Sequence, residues 1–513
     1  GTTHRANVGE DFYGLEPRDT DVRCSCPTCK PLLGPRGDFN SGEASQIVWG
    51  FADHVARALQ ETHPGTSVGL LAYGNHAGCP TQLDLAPNIY VGMAIFPRGI
   101  PDLEQSDFRM YKEWLAKLPG RMSSIWLYPC FPRERAGIQG YTAFPKLEPR
   151  GLNAQMRLFA QDKVRCFMFC GAYDTVLDYW CSLKFQDNPF VDVEATIADF
   201  YRRYYGPAAE PMQKLLDGIE AASAGVPALD EQVSWDVVGT DERLAAWQQL
   251  LDEAVALAQE DPEKKRVLNI RDTLWAEMLK GKKIWTHRKR YRGDVEAFRQ
   301  LPPLEATIVK LTTGPADDDA ANVDWKGVTP FKITRTMSGY PAMERWADLY
   351  MAHDGRRLYI RLTDHIDVKR LKVSDGAWWG DRWEVFLSRQ SNRAAGQTLA
   401  DRDRGEWGPY RQVGVRPGAL LCDLWTFVKD DWDGWSKADL KLRNVQGAEA
   451  WTFFLTLSLD SLSSAGPVLP GQKVYFNFIG PNEASGDTIA LSPTLDPGSY
   501  HNVPRLAGFL LQE

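Results

Sequence analysis

The chain has 513 residues, of which 43% are hydrophobic and 25% charged, with a net charge of −8 and 18 tryptophans. A chain of this length and composition is expected to form two or three globular domains, and an acidic balance without a basic stripe argues against a nucleic-acid or anionic-membrane partner. The sequence contains no apolar run of about 18 residues, so no transmembrane helix is predicted. It shows no signal peptide, which leaves secretion open for a trimmed chain.

Residues 1–205 alternate strand and helix signals, a pattern typical of parallel βαβ units. Four of the five predicted strands are apolar nearly throughout, as expected when helices cover both faces of a parallel sheet. The helix after the first strand is predicted to bury Ile47, Phe51, Val55 and Leu59. The predicted strands span 4–12, 67–75, 88–96, 123–131 and 164–174.

Five parallel strands cannot close a (β/α)8 barrel, which needs eight strands and about 250 residues. Residues 1–205 are therefore interpreted as the C-terminal part of a (β/α)8 TIM barrel whose first three units lie upstream of Gly1. A five-stranded open sheet is the alternative. If the barrel interpretation holds, an upstream segment is expected to complete the sheet and the site.

In the rest of the chain, the spacing of apolar residues changes twice, first to a helical pattern and then to strict alternation. Residues 206–311 are predicted to be a helical connector, with Thr240 and Asp261 as helix caps. After a polar junction, residues 312–513 alternate apolar and polar side chains in short runs, which predicts a β-sandwich. In one run, Trp451, Phe453 and Leu455 are expected to face inward.

The ends of the predicted strands supply the candidate active site, because barrel enzymes place catalytic groups there. Glu10 and Asp11 are predicted as a catalytic pair, one carboxyl group staying protonated as a general acid while the other is ionised. An ordinary solvated acidic turn is the alternative. A wall of aromatic residues with polar tips would suit a sugar, although each residue alone could equally be packing. The candidate substrate-binding residues are Tyr73, Asn75, His76, Trp126, Tyr128, Tyr173 and Asp174.

Three of the nine cysteines, Cys24, Cys26 and Cys29, lie within six residues. They could form a packed loop, a disulfide with a spare thiol, or three ligands of a structural zinc ion, the fourth coming from another segment such as His76 or Cys79. A catalytic thiol is not expected, since no partner set of histidine and asparagine is apparent. No cofactor is required, and the structural zinc ion is one of these three alternatives.

Several motifs together resemble the family called domain of unknown function 4838 over about residues 5–220. They are C-S-C-P-T-C, VWGFADHVARALQETHPGTSVGLLAYGN, APNIYVGMA, IWLY and DVEATIADFYRRYYGPAAEPM. The resemblance implies a glycoside hydrolase on a (β/α)8 barrel, some members being similar to endo-β-N-acetylglucosaminidases. Asp11 best matches the family's Asp before the cysteine loop. Related barrels carry Asp-Glu there, so the reversed Glu10-Asp11 leaves the two roles unassigned.

The C-terminal region resembles the carbohydrate-binding modules of family 9 over about residues 325–513. The likeness rests on ADLYMAHDGRRLYIRLTD, WWGDRWEVFLS and SYHNVPRLAGFLLQ. Family 9 modules grip sugar ends between tryptophans, whereas many relatives have lost binding and only pack on an enzyme. The candidate tryptophans are Trp378, Trp379, Trp407, Trp432 and Trp435.

These observations predict a secreted or periplasmic glycoside hydrolase whose partner is an oligosaccharide or glycan. The expected reaction is hydrolysis of a β-linked N-acetylhexosamine with retention, assisted by the substrate's own acetamido group. An α-glucuronidase-like hydrolase and a non-catalytic carbohydrate-binding protein are the alternatives.

Overall fold

The structure is a computed structural model, and it describes most of the chain in segments. The described residues are 12–17, 24, 26–35, 40–95, 106–129, 133–138, 140–164, 166–171, 173–226, 229–373, 380–394, 408, 410–417, 424–426, 440–460, 462, 466–482, 488–496 and 500–513. The chain divides into two compact units, one with residues 1–137 and 141–283 and the other with residues 138–140 and 284–513.

The first unit contains an open parallel sheet. Its strands pair in chain order: β1 (Phe12–Gly14), β2 (Ser67–Ala72), β3 (Ile89–Ile95), β4 (Met122–Leu127) and β5 (Cys166–Phe169). Closing a barrel requires the first and last strands to pair, whereas β1 and β5 are the two edges of the described sheet. The prediction that residues 1–205 form part of a (β/α)8 TIM barrel is therefore wrong. The open sheet, which was the alternative, is what the described residues form.

The two faces of this sheet differ in chemistry because successive side chains of a strand point to opposite sides. On the back face, Val68, Leu70 and Met93 are buried. On the front face, the register aligns Leu71, Gly92, Ser124 and Cys166 across four strands. Cys166 and Met168 on this face are exposed. The expectation that both faces are covered is thus wrong, and the front face carries the cavity described below.

Helices α1 (Ser45–Thr62), α2 (Ser106–Lys117) and α4 (Pro149–Gln161) supply the core that packs with the sheet. The rings of Trp49 on α1 and Trp114 on α2 lie 4.4 Å apart, and Phe159 on α4 contacts Phe167 on β5 at 5.7 Å. The stripe predicted for α1 is wrong, since Phe51 is 63% exposed. The buried residues of α1 are Ser45, Trp49, Ala52 and Ala56.

The remaining helices of the first unit follow β5, except the short α3, which precedes α4. They are α3 (Arg133–Ile138), α5 (Val176–Asp187), α6 (Val193–Tyr205), α7 (Ala209–Ser223), α8 (Asp241–Leu257), α9 (Glu263–Ile270) and α10 (Ala276–Arg290), with π-helical turns at Val233–Val238 and Arg271–Trp275. The predicted cap of α8 is confirmed, because Thr240 accepts a hydrogen bond from the Arg243 N–H at 3.3 Å. The predicted cap at Asp261 is displaced by one residue, to Pro262. Helix α10 extends past residue 283 into the second unit.

The second unit is a β-sandwich preceded by helix α11 (Arg292–Arg299). Its strands are β6 (Glu305–Lys310), β7 (Phe331–Ile333), β8 (Trp346–His353), β9 (Arg357–His365), β10 (Trp383–Ser388), β11 (Arg411–Val415), β12 (Leu424–Thr426), β13 (Leu440–Gln446), β14 (Ala450–Ser458), β15 (Lys473–Gly480), β16 (Ile489–Ala490) and β17 (Ala507–Leu511). The order is β12-β11-β10-β15-β17-β6-β8-β9-β14-β13. Strand β6 joins the two sheets, pairing with β17 through its first half and with β8 through its second half.

Side chains from both sheets meet in one core, as the alternating pattern predicts. Trp451, Phe453 and Leu455 of β14 are fully buried together with Val385 of β10 and Phe476 of β15. This confirms the predicted inward set. Within the part of the chain that the structure describes, no helix combines the length and apolarity needed to cross a bilayer.

Candidate functional site

A cavity of about 490 Å³ lies on the front face of the parallel sheet and at the C-terminal ends of its strands. Small side chains make room for it. At Gly92 a Cβ atom would lie 2.6 Å from Ser124 Oγ, and at Gly69 it would lie 2.1 Å from the Phe12 ring. Separations this short are not tolerated between non-bonded atoms, so larger residues at either position would displace the cavity lining.

Aromatic rings form one wall of the cavity. The rings of Tyr73 and Tyr128 lie 6.3 Å apart at an interplanar angle of 25°, and the Trp126 ring is 6.4 Å from Tyr128. Tyr73 follows β2, and Trp126 and Tyr128 lie at the end of β4, on the other side of β3 in the sheet. The indole Nε1 of Trp126 is buried and has no hydrogen-bond partner among the described residues. Such a wall offers flat apolar faces together with an unused donor.

The turn after β2 brings an amide and an imidazole to the same cavity. Gly74 adopts a positive φ of 55°, a conformation that suits glycine, and its N–H donates to Asn40 Oδ1 at 2.9 Å. His76 Nδ1 lies 3.2 Å from Asn75 Oδ1. Because an amide oxygen only accepts, this contact is a hydrogen bond in the tautomer that carries the ring proton on Nδ1, and in that tautomer Nε2 is an acceptor.

Burial keeps this imidazole neutral. His76 is buried, and desolvation lowers its pKa. Its Nε2 atom has no hydrogen-bond partner among the described residues. Buried polar atoms normally have a partner, so both Nε2 of His76 and Nε1 of Trp126 are positions where a bound water or polar ligand would be stabilised.

Glu16 is the carboxylate of the cavity. Strand β1 ends at Gly14, the Leu15 N–H makes a last ladder bond to the Gly69 carbonyl at 2.9 Å, and Glu16 Oε1 then accepts from the Leu71 N–H at 3.0 Å. The side chain thus continues the hydrogen bonding of the strand that has ended. Glu16 is exposed and lines the cavity.

Two opposing effects act on the pKa of Glu16. Desolvation by the surrounding protein raises the pKa, and the hydrogen bond from Leu71 lowers it by a smaller amount, so the net pKa is above its ordinary value. Among the described residues that line the cavity, Glu16 is the single acidic side chain, and none of them is lysine or arginine. A carboxyl group whose pKa is raised in this way can act as a general acid.

The sequence prediction missed Glu16 because the first strand was predicted to end at Phe12, which made Glu10 and Asp11 the carboxylates of the strand end. The described strand continues through Gly14, so the first carboxylate after its end is Glu16. The G-L-E-P sequence, in which glycine and proline flank the glutamate, was the available turn signal. Glu10 and Asp11 lie outside the described residues.

The other predicted site residues separate into two groups. Tyr73, Asn75, His76, Trp126 and Tyr128 line the cavity. Tyr173 and Asp174 do not: the Tyr173 ring packs with Phe169 at 5.8 Å, and Asp174 forms an ion pair with Arg133 at 2.8 Å. The five candidate tryptophans of the sandwich, Trp378, Trp379, Trp407, Trp432 and Trp435, lie outside the described residues.

A second carboxyl group with a raised pKa lies at the start of α5, away from the cavity lining. Asp178 is fully buried, accepts from the Thr175 hydroxyl at 2.6 Å and from the Glu148 N–H at 3.0 Å. Desolvation and the nearby charges of Asp174 and Glu220 raise its pKa to about 8. We interpret it as a structural group in the first turn of α5, next to the capping Thr175, because its hydrogen-bond partners are all parts of the protein.

The cysteine loop follows Glu16 along the chain. The thiols of Cys24, Cys26 and Cys29 lie within 4.8 Å of one another, and no disulfide joins them in the structure. Cys24 and Cys26 are exposed, and Cys29 is half-buried. His76 and Cys79, considered as a fourth ligand, are not members of this cluster in the described chain.

Residues 4–217 match the family described as Domain of unknown function (DUF4838). The predicted resemblance of this region is therefore confirmed, and that description names no activity. No curated protein sequence matches the chain.

Three solved structures are similar to part of the chain. A family 9 carbohydrate-binding module from Caldicellulosiruptor kristjanssonii in complex with cellotriose has 13% identity and a TM-score of 0.29, covering 40% of this chain and 93% of that one. The module from the same organism in complex with glucose has 16% identity and a TM-score of 0.29, covering 40% and 94%. A putative carbohydrate-binding protein from Bacteroides uniformis ATCC 8492 has 14% identity and a TM-score of 0.27, covering 41% and 99%.

Proposed function

We propose that the protein is a glycoside hydrolase that cleaves a β-linked N-acetylhexosamine in the cavity of the first unit, with Glu16 as the general acid. The observation that carries the proposal is a carboxyl group of raised pKa in a cavity walled by Tyr73, Trp126 and Tyr128. Ligand pockets usually measure about 300–1,000 Å³, and the cavity falls within this range.

The walls suit a sugar that carries an acetamido group. Aromatic rings stack on the apolar faces of sugars, and the Trp126 N–H and His76 Nε2 lack partners among the described residues. An acetamido carbonyl could accept from the indole, and an acetamido N–H could donate to the neutral imidazole. Pairing both buried atoms would favour this substrate over a sugar with a hydroxyl group at the same position.

One general acid suffices when the substrate supplies the nucleophile. Glu16 would donate its proton to the glycosidic oxygen as the bond between that oxygen and C1 breaks, while the acetamido oxygen forms a bond to C1 from the opposite face. A water molecule would then attack C1 and break the bond between C1 and the acetamido oxygen, while the ionised Glu16 takes a proton from that water. The proton returns to Glu16, and the configuration at C1 is retained.

Non-catalytic sugar binding is the second candidate, and one observation favours it. Most glycosidases use two carboxylates, whereas Glu16 is alone among the described residues that line the cavity. Glu10 and Asp11 stay the predicted catalytic pair from the sequence. The α-glucuronidase-like alternative gains no support, since recognition of a uronate favours a cationic side chain and the described lining residues include none.

An acetamido-specific thiazoline inhibitor tests the proposed function. We expect it to bind the intact protein and to block release of N-acetylhexosamine from an aryl β-glycoside. It should bind at least about tenfold more weakly to a Trp126→Ala variant, since loss of the indole donor leaves a buried acceptor unpaired at a cost of roughly 1–3 kcal/mol. Trp346→Ala, at an exposed tryptophan of the sandwich, is the matched control and should leave binding unchanged.

The outcomes separate the candidates. Turnover that the thiazoline does not inhibit would overturn the acetamido-assisted mechanism. Glycan binding that Trp126→Ala weakens, without turnover of any glycoside, would support the binding protein and overturn the hydrolase.

A further inference from the structure

The loop between Glu16 and α1 gathers three sulfur atoms without a disulfide. The Sγ atoms of Cys24, Cys26 and Cys29 all lie within 4.8 Å of one another. Zinc–sulfur bonds of about 2.3 Å in a tetrahedral site place sulfur atoms roughly 4 Å apart, so only a small contraction separates the observed cluster from a ligand set.

The backbone of this loop forms a tight turn and directs an N–H group at a cysteine sulfur atom. The N–H of Cys29 donates to Cys26 Sγ at 3.4 Å, and the Lys30 N–H donates to the Cys26 carbonyl at 2.9 Å. The chain then forms a single 3-10 turn over Lys30–Leu32. An N–H directed at sulfur stabilises negative charge on it, and the turn brings both ends of the C-x-x-C segment to one side.

We infer that Cys24, Cys26 and Cys29 bind one Zn²⁺ ion as thiolates, which supply three of the four ligands of a tetrahedral site. Soft sulfur ligands select zinc and similar soft cations over magnesium or calcium, which prefer oxygen. The fourth position would be taken by water or by another donor. Binding would release thiol protons, since each thiol must ionise to become a ligand.

The position of the loop suggests what the ion does. Beyond the cysteines, the Gly34 N–H donates to the Glu43 carbonyl at 2.7 Å, and the Ser41 N–H donates to the Gly74 carbonyl at 2.8 Å. Gly74 belongs to the turn that carries Asn75 and His76 into the cavity. A zinc ion would therefore brace the connection between the strand that leads to Glu16 and the turn that holds His76.

Cobalt titration of the full-length protein, reduced and freed of metal by a chelator, tests the inference. We expect one Co²⁺ ion to bind per chain with a thiolate-to-cobalt charge-transfer band and the strong visible absorption of a tetrahedral site, and Zn²⁺ to displace it. Cys26→Ser and Cys29→Ser should each weaken Zn²⁺ binding by at least about tenfold, the loss seen even for outer-shell partners. The exposed Cys166, outside the cluster, supplies the control variant Cys166→Ser, which should bind as the wild type does.

Thermal unfolding distinguishes a lost site from a lost fold. Zinc should raise the midpoint of the wild type and of Cys166→Ser but not that of Cys26→Ser, while the metal-free midpoints of all three stay close. The inference is overturned if Co²⁺ gives no charge-transfer band, if Cys26→Ser binds Zn²⁺ as tightly as the wild type, or if the reduced protein binds no metal while the oxidised protein contains a disulfide among these cysteines. None of these readouts depends on glycosidase activity.

Discussion

Glu16 illustrates how the end of one strand can set the chemistry of a side chain. Its carboxylate occupies the place of the next ladder acceptor and takes the Leu71 N–H, which fixes it at the cavity edge. The surrounding protein then disfavours the charged form more than that single hydrogen bond favours it. The protonated form of Glu16, which the proposed general acid requires, is thereby favoured.

The pH dependence of turnover follows from this shift. A general acid must be protonated, so kcat/KM for a natural glycan should fall as pH rises through the raised pKa of Glu16. In Glu16→Gln this fall should disappear when the residual activity is followed with an activated aryl glycoside, whose leaving group needs little protonation. Measured profiles of the two proteins that fall at the same pH would exclude Glu16 as the acid.

Individual cavity residues were predictable wherever the predicted strand end lay near the real one. Tyr73, Asn75 and His76 follow β2, and Trp126 and Tyr128 lie at the end of β4, so both strand ends were located closely enough. Strand β5 ends at Phe169, five residues before Asp174, which explains why that carboxylate lies at the start of α5 instead. Apolar content alone does not mark where a strand stops.

At the scale of elements, the two faces of the parallel sheet differ: the back face packs on helices and the front face lines the cavity. The back face is apolar and packs on helices, whereas the front face carries glycine, serine and aromatic residues around the cavity. The stripe of α1 was mispredicted because large side chains were expected to be inward. Close packing of Trp49 against Trp114 instead requires small neighbours, and Ala52 and Ala56 fill the helix face that meets the core.

Helix α5 supplies a stability prediction, because Asp178 at its first turn is buried with a pKa of about 8. Between its ordinary value of 3.8 and about 8, the folded state holds a proton that the unfolded state releases. The free energy of unfolding should therefore fall as pH rises through this window, by up to about 1.4 kcal/mol per pH unit.

An Asp178→Asn variant should remove this slope. The amide keeps the shape of the carboxylic acid and can still accept from the Glu148 N–H, as Oδ1 does. Denaturant titrations between about pH 5 and pH 8 measure the effect, with Asp187→Asn at the exposed end of the same helix as the control. A slope that is equal in wild type and Asp178→Asn would show that another group is responsible.

At the scale of the whole molecule, the two units differ in the spacing of their apolar residues, and the fold of the second unit was therefore easier to predict than that of the first. The alternation of period two located the sandwich and its inward residues, because one face of each strand must be buried against the other sheet. The barrel interpretation failed because it added three further βαβ units to the five strands that the sequence pattern indicates. In the described sheet, β1 and β5 are the two edge strands and do not pair with each other.

The cavity of the first unit is where the account assigns the function of the molecule. In the proposed function, its aromatic wall would bind the sugar and Glu16 would protonate the leaving oxygen. Glu10 and Asp11, predicted from the sequence, provide a direct comparison, since Glu10→Gln and Asp11→Asn would each abolish turnover if that pair were catalytic in place of Glu16.

Turnover of a natural glycan with a terminal β-linked N-acetylglucosamine by Glu16→Gln tests the central claim most directly. Removal of a general acid typically costs about 10²–10⁴ in rate, and we expect a loss of this size with glycan binding retained. Glu61→Gln, at an exposed glutamate of α1, is the matched control and should turn over the glycan as the wild type does. Wild-type turnover by Glu16→Gln would contradict the account.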